Sequence, residues 1–273
     1  MVATAVLGGI PSKPMYHSRT SEPSLRSGFT ILELLVVIAV IVVLAALSIQ
    51  VTKSIKQKAN LARATQKIKN LGEAFVGYTA DSGGLLPFED LGGEKDDWQG
   101  AAKPEASEAW YNALTLRMGF PTVGDLANDN NPEAFYADSY PLYVPGAPYP
   151  KSEKKYKSPM FAIGMNSRLQ RRDDDGNKEQ GTLASIQVPI NTVIFLERGM
   201  PRDKKVSRAQ TNFSASPKAN PRAFAGRHNQ EGLLLFADGH AEKRSVFDLV
   251  TNSGEIIIQE GVLWTRDPDD DPN

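Results

Sequence analysis

Residues 29–49 read F-T-I-L-E-L-L-V-V-I-A-V-I-V-V-L-A-A-L-S-I, an apolar run broken by a single charge, Glu33. At ~1.5 Å rise per residue, a helix of this length covers about 31 Å, the thickness of a bilayer's hydrocarbon core. A secretory signal has an apolar region of only ~7–15 residues ahead of a small-residue cleavage site, so Ala45-Ala46 does not make this run one. A plain signal anchor accounts for the length. It does not account for a carboxylate at the fifth position of the span, where burial is costly and marks function. Upstream, Lys13, Arg19 and Arg26 against Glu22 give residues 1–28 a net charge of +2, which places the N-terminus in the cytoplasm.

Downstream the pattern changes without a break. Leu61, Ala64, Ile68, Leu71, Phe75 and Tyr78 recur at alternating steps of three and four, one face of a helix. Lys53, Lys56, Lys58, Arg63, Lys67 and Lys69 take much of the remaining surface. No proline falls between Thr30 and Ala80, and Asp81-Ser82-Gly83-Gly84 supplies the stop. The expectation is one helix, about 75 Å if continuous. Its front half, 29–49, is a membrane span or fibre core, and the back half of 29–80 is roofed by a folded domain through the apolar stripe.

The run Ser27-Gly28-Phe29-Thr30-Ile31-Leu32-Glu33-Leu34-Leu35-Val36-Val37-Ile38 resembles the N-terminus of type IV prepilins and type II secretion pseudopilins. The resemblance implies that a prepilin peptidase cuts after Gly28 on the cytoplasmic side. Residues 1–28 are then a removed leader, and Phe29 is the mature, N-methylated N-terminus. Met15 is an alternative start, giving a leader of 15–28. The resemblance also makes Glu33 the assembly glutamate, paired with the amine of a neighbouring subunit. A carboxylate alone in hydrocarbon costs several kcal/mol or stays protonated, so such a pair favours one axial register. Glycine supplies an unhindered scissile position. The implied fold is α+β and pilin-like: the long helix packed on a small, mainly antiparallel sheet.

The whole chain has 273 residues, 31 Lys+Arg against 32 Asp+Glu, and no cysteine. That excludes a disulfide scaffold, a Cys-based zinc module and a catalytic thiol. Residues 105–118 suit a second helix after Pro104, stopped by Gly119 and Pro121. Residues 81–159 form a connecting region whose later part, with prolines at 121, 132, 141, 145, 148, 150 and 159, is looped. Strands are expected at 160–165, 192–197, 232–237, 255–259 and 262–265, within an antiparallel domain over 160–265. Asp238-Gly239 suits a hairpin turn, and 266–273 reads as an acidic tail.

His228, nine residues, then Asp238-Gly239 resembles the H-X9-DG module attached to many prepilin-like proteins, with Gly164-Met165-Asn166 and Thr192–Glu197 as further pieces. Related chains often carry a Cys-Pro before the Gly-Met-Asn segment. Here Val144-Pro145-Gly146 stands near that place, so no role of that cysteine carries over. His228 and Asp238 meet only if the chain reverses between them, around Gln230-Glu231-Gly232. The weak metal candidates are Asp238, His240 and Glu197; the bland reading makes Asp238-Gly239 a turn and gives His228 loop-orienting hydrogen bonds. Asp173-Asp174-Asp175-Gly176-Asn177 suggests calcium, but Arg171 and Thr182 occupy the first and twelfth positions of an EF-hand and break its pattern. No phosphate loop, dinucleotide fingerprint or nucleophile motif is present, so neither an enzyme nor a resident cofactor is expected.

Charge is segregated: −9 over residues 81–150, +9 over 151–230 and −7 over 231–273. Solvated faces that mix on folding, complementary contacts between stacked subunits, and a basic patch for DNA or anionic glycan all fit; nucleic acid is not the expected partner. The leading expectation is a pilus or pseudopilus subunit. Its partners are the membrane, a prepilin peptidase/N-methyltransferase, other pilin-like subunits, and by family likeness an assembly ATPase and membrane platform. The alternative is an uncleaved, signal-anchored envelope protein whose outer domain binds a ligand, glycan or protein.

Overall fold

A computed structural model describes residues 28–90, 97–151, 157–172, 174–175, 178–201, 203 and 214–273. The leader residues 1–27, including Met15, and Asp173, Gly176 and Asn177 of the acidic run lie outside them. The chain divides into two compact units, residues 1–51 and 52–273. Helix α1, Ile31–Asp81, begins in the first and ends in the second. It is the one helix among the described residues long and apolar enough to cross a membrane.

In the first unit every described side chain from Phe29 to Ile49 is exposed, Val37 the least so of the large apolar ones. A continuous apolar helix surface of this size does not persist bare in water; it needs lipid or other helices. Ser48 hides its hydroxyl by donating to the Leu44 carbonyl at 2.7 Å, so the only polar atoms it adds to the span are paired.

In the second unit α1 turns amphipathic, and the stripe packs as its spacing predicts. Ala64, Ile68, Leu71 and Phe75 are buried, while Leu61 and Tyr78 pack at the margin. The Phe75 ring meets Phe195 edge-on at 6.0 Å between centroids. Gly83 and Gly84 take positive φ, 66° and 89°, and Gly84 N donates to the Thr79 carbonyl, closing the helix.

Between helix and sheet lie α2 (Trp98–Ala101), a 3₁₀ turn over Pro104–Glu108, α3 (Trp110–Arg117), α4 (Val123–Asn128) and α5 (Pro132–Phe135). The helix expected over 105–118 is thus two pieces, broken where Ala109 takes an extended ψ of 135°. The break lets Phe88 N donate to Glu108 O and Trp110 N to Phe88 O, pinning the segment after α1.

The sheet has five strands in the order β5-β1-β4-β6-β7: β1 Ile163–Asn166, β4 Val193–Glu197, β5 Lys218–Ala219, β6 Glu231–Phe236 and β7 Ala241–Ser245. A separate two-stranded ribbon joins β2 (Arg171–Arg172) to β3 (Lys178–Glu179). All pairs in the main sheet are antiparallel except β1–β5. Leu233 and Leu235 of β6 face the core that holds α1. Leu234 and Phe236 face a second core with Phe224, Leu249 and Trp264. Burial on both faces explains why β6 reads as an unbroken apolar run. The first core also takes residues from α3 to α5, so helix, connecting region and sheet share one interior.

Two expected strands are corrected. Residues 255–259 and 262–265 make only single bridges, Val250↔Ile256, Gln259↔Val262 and Thr192↔Leu263. Their apolar side chains, Ile256, Val262 and Trp264, cap the second core, but among the described residues none of these bridges extends into a ladder.

Candidate functional site

Helix α1 starts at a reciprocal cap. Thr30 N and Thr30 Oγ1 each donate to Glu33 Oε2 at 2.9 Å, and Glu33 N donates to Thr30 Oγ1 at 3.2 Å. This is a T-x-x-E capping box, which satisfies N-terminal amides that otherwise lack partners. It also answers how a carboxylate is tolerated at the head of an apolar helix: one oxygen takes two donors from its own chain. Both donors fall on Oε2. The T-x-x-E spacing that signals this cap is local and readable in the sequence. Among the described residues nothing lies within 4 Å of where a Cβ on Gly28 would stand, and Phe29 is 77% exposed.

In the second unit, His228 and Asp238-Gly239 do not meet. The chain reverses at Asn229 and Gln230, with φ of 61° and 71°, one step earlier than expected, and enters β6. His228 therefore sits at one end of β6 and Asp238 at the other. At the first end His228 is buried, with Nε2 3.2 Å from Glu197 Oε1, while Leu233 N donates to Glu197 Oε2 at 3.0 Å. The His228 backbone N–H donates to the Glu231 carbonyl. Beside them Arg227 is ion-paired with Asp203 and donates to the Arg198 carbonyl. His228 thus fastens the 226–230 reversal to the end of β4.

At the other end Asp238-Gly239 is the β6–β7 hairpin turn, with Gly239 at φ 91°. The turn is also a docking point. A Cβ on Gly72 of α1 would stand 2.8 Å from the Gly239 carbonyl oxygen, and one on Gly239 would stand 2.8 Å from Val76 Cγ2. Glycine is required on both sides: at 239 by φ, at 72 by the close approach. His240 Nδ1 lies 2.6 Å from Asp238 Oδ1, and its ring stacks on Phe236 at 4.3 Å.

The metal triad of Asp238, His240 and Glu197 is corrected on the same geometry. Glu197 is committed to His228 and Leu233 N, while Asp238 and His240 occupy the opposite end of the β4–β6 ladder. Among the described residues no group of three or more His, Asp or Glu side chains could hold a metal.

Sequence reasoning missed the ion cluster beside β5. Lys178 pairs with Glu89 at 3.5 Å and with Asp90, and Lys218 reaches Asp90 Oδ2 at 2.5 Å. Burial pushes the Glu89 carboxyl up, against the pull of Lys178 and Lys218, and the same burial pulls the Lys178 ammonium down. Here charges of opposite blocks meet within the fold, and Arg63–Asp138 joins opposite charges at its surface. Nothing in the local sequence signals the cluster, because its members come from three distant segments.

Against known families, residues 23–49 match the prokaryotic N-terminal methylation motif. No curated protein and no solved structure matches the chain. The matched segment ends at the close of the apolar run and takes in Gly28, Phe29, Thr30 and Glu33. It supports a pilin-like precursor. It implies processing by a prepilin peptidase and membrane-associated assembly with other pilin-like subunits. Together with the exposed apolar part of α1, it is consistent with membrane anchoring.

Proposed function

We propose that the chain is a structural subunit of a type IV pilus or type II secretion pseudopilus. It is inserted in the cytoplasmic membrane as a single span, with its N-terminus in the cytoplasm and residues 52–273 outside. It is cleaved after Gly28, N-methylated at Phe29 and polymerised through the front of α1. Its work is mechanical, driven through an assembly ATPase and membrane platform, and the H-X9-DG-type module serves as scaffold. The observation that carries this reading is the wholly exposed apolar helix headed by one capped carboxylate, in register with the matched motif.

The chemistry follows from that arrangement. Thr30 engages Glu33 Oε2 and holds the side chain at the helix head. The carboxylate can then accept a charge-assisted bond from a neighbour's Phe29 amine through Oε1, offsetting the cost of two unpaired charges in hydrocarbon. Release of apolar helix surface from lipid onto neighbouring helices supplies non-specific packing; the ion pair supplies the axial register.

Glu33→Ala tests the reading. The variant should be cleaved at Gly28 as the wild type is but fail to form fibres, read by shear-fraction immunoblot and electron microscopy. Fibres of normal yield from Glu33→Ala would overturn the proposed role.

A further inference from the structure

The charges of α1 are all of one sign past its head. No Asp or Glu stands between Glu33 and Glu73, while Lys53, Lys56, Lys58, Arg63, Lys67 and Lys69 all do. The fold employs two of them. Arg63 is ion-paired with Asp138, and Lys67 Nζ donates to the carbonyls of Asp138 and Tyr140 at 2.7 and 2.6 Å. Lys53, Lys56 and Lys58 stand apart from that use. Residues 51–59 are exposed throughout, burial beginning only at Asn60, and among the described residues none of these three lysines forms an ion pair. Lys53 and Lys56, three apart on one helix, also repel each other. An anion that meets both is therefore favoured.

Position along the chain narrows the anion. Counted along α1, Lys53 stands ~6 Å and Lys58 ~14 Å beyond Ile49, where the apolar run ends. Headgroups add about 5–8 Å to each side of a bilayer's hydrocarbon core. Side chains on a helix lean toward its N-terminus, here toward the apolar run, and lysine extends its ammonium to the interface on an apolar stem. The three ammoniums are thus in reach of headgroup phosphates. Lys69, ~30 Å along the helix, is not.

Azimuth narrows it further. At about 100° per residue, Lys56 lies ~60° to one side of Lys53 and Lys58 ~140° to the other. A protein or nucleic-acid partner docked on one face meets a stripe of roughly 100° and would miss part of this set. A headgroup layer surrounds the helix and meets all three.

We propose that Lys53, Lys56 and Lys58 form a collar that binds anionic phospholipid headgroups, of the phosphatidylglycerol type, where α1 leaves the membrane. The collar sets the depth at which the helix sits. The inference rests on residues 29–49 spanning a membrane, and not on cleavage at Gly28 or on polymerisation.

The test is electron paramagnetic resonance of spin-labelled phosphatidylglycerol and spin-labelled phosphatidylcholine around the full-length protein in phosphatidylcholine vesicles. Each lysine at an anionic lipid surface is worth about fivefold. The protein should therefore prefer the labelled phosphatidylglycerol by about fivefold or more at low salt, and less as salt is raised. Lys53→Gln/Lys56→Gln/Lys58→Gln should lose at least two-thirds of that preference with an unchanged thermal transition, whereas Lys69→Gln should keep it. The leader cations Lys13, Arg19 and Arg26 are common to all three chains, so they cancel in the comparison. The proposal is overturned if the triple variant selects lipid as the wild type does, or if Lys69→Gln loses as much. It is also overturned if neither lipid is preferred while crosslinking between copies depends on the three lysines, which would assign them to a second copy, or if inorganic phosphate displaces the lipid beyond the effect of chloride at equal ionic strength. A chain that floats with the vesicles but shows no preference refutes the collar alone; a chain that does not float refutes the membrane span and the collar with it.

Discussion

Replacing Gly72 by alanine tests whether the Asp238-Gly239 turn is clamped on α1. On an open helix face Gly→Ala stabilises by about 1 kcal/mol, because alanine has the better helix propensity. At residue 72 the added Cβ would stand 2.8 Å from the Gly239 carbonyl oxygen and 2.8 Å from Leu235 Cδ1. The carbonyl cannot yield cheaply. Its turn is closed by Gly239 N donating to Phe236 O at 3.0 Å and Phe236 N donating to His240 O at 2.9 Å. Overpacking of this kind costs ~1–3 kcal/mol. With distortion of the turn at the upper end of that range, the net effect is destabilisation of about 1–2 kcal/mol. For a unit of this size that lowers Tm by roughly 2–8 °C. Gly77→Ala is the internal control. The atoms nearest its Cβ would be the guanidinium of Arg117, the far end of a flexible side chain whose partner Asp81 is itself exposed, so the guanidinium can shift, propensity wins and Tm stays or rises. The assay is thermal and urea unfolding of the full chain in micelles, followed by circular dichroism. Gly72→Ala as stable as Gly77→Ala would refute the docked turn.

Other outcomes follow from the same geometry. Burial, then the hydrogen bond to Glu108, pushes the Tyr78 phenol from its usual 10 to about 12. Since the folded value is the raised one, the stability it adds is complete below pH 10 and disappears as pH climbs through 12. Ultraviolet titration of wild type against Tyr78→Phe should show one phenol ionising near 12, and a difference ionising near 10 would contradict the contact. Glu197→Ala removes the acceptor of both His228 Nε2 and Leu233 N. Leaving two buried donors unmet costs roughly 2–5 kcal/mol, so Tm should fall by about 4 °C or more; a loss under 1 °C would show that His228 does not fasten the reversal.

Helix α1 was legible because two different patterns joined without a proline: an apolar run, then a three-and-four stripe whose Ala64, Ile68, Leu71 and Phe75 are buried. β4 and β6 were legible as apolar runs because both faces of the sheet are covered. β7 was not, since Ala241-Glu242-Lys243-Arg244-Ser245 is an edge strand held by its hairpin, where charge guards against pairing with other chains. The Ile256 and Trp264 segments misled for the opposite reason: buried apolar residues imitate a strand even where the partner backbone runs alongside for only a single bridge. At the helix head, Thr30 and Glu33 are local and readable. The Glu89–Asp90–Lys178–Lys218 cluster is not, because only the folded chain brings those positions together.

Mass spectrometry of the N-terminal peptide of the membrane-extracted protein bears most directly on the account. The predicted peptide begins at Phe29 with a single methyl on its α-amine and contains no residue from 1–28. A peptide retaining residues up to Gly28, or one cut elsewhere, would contradict processing at this site and with it the assembly role given to Glu33.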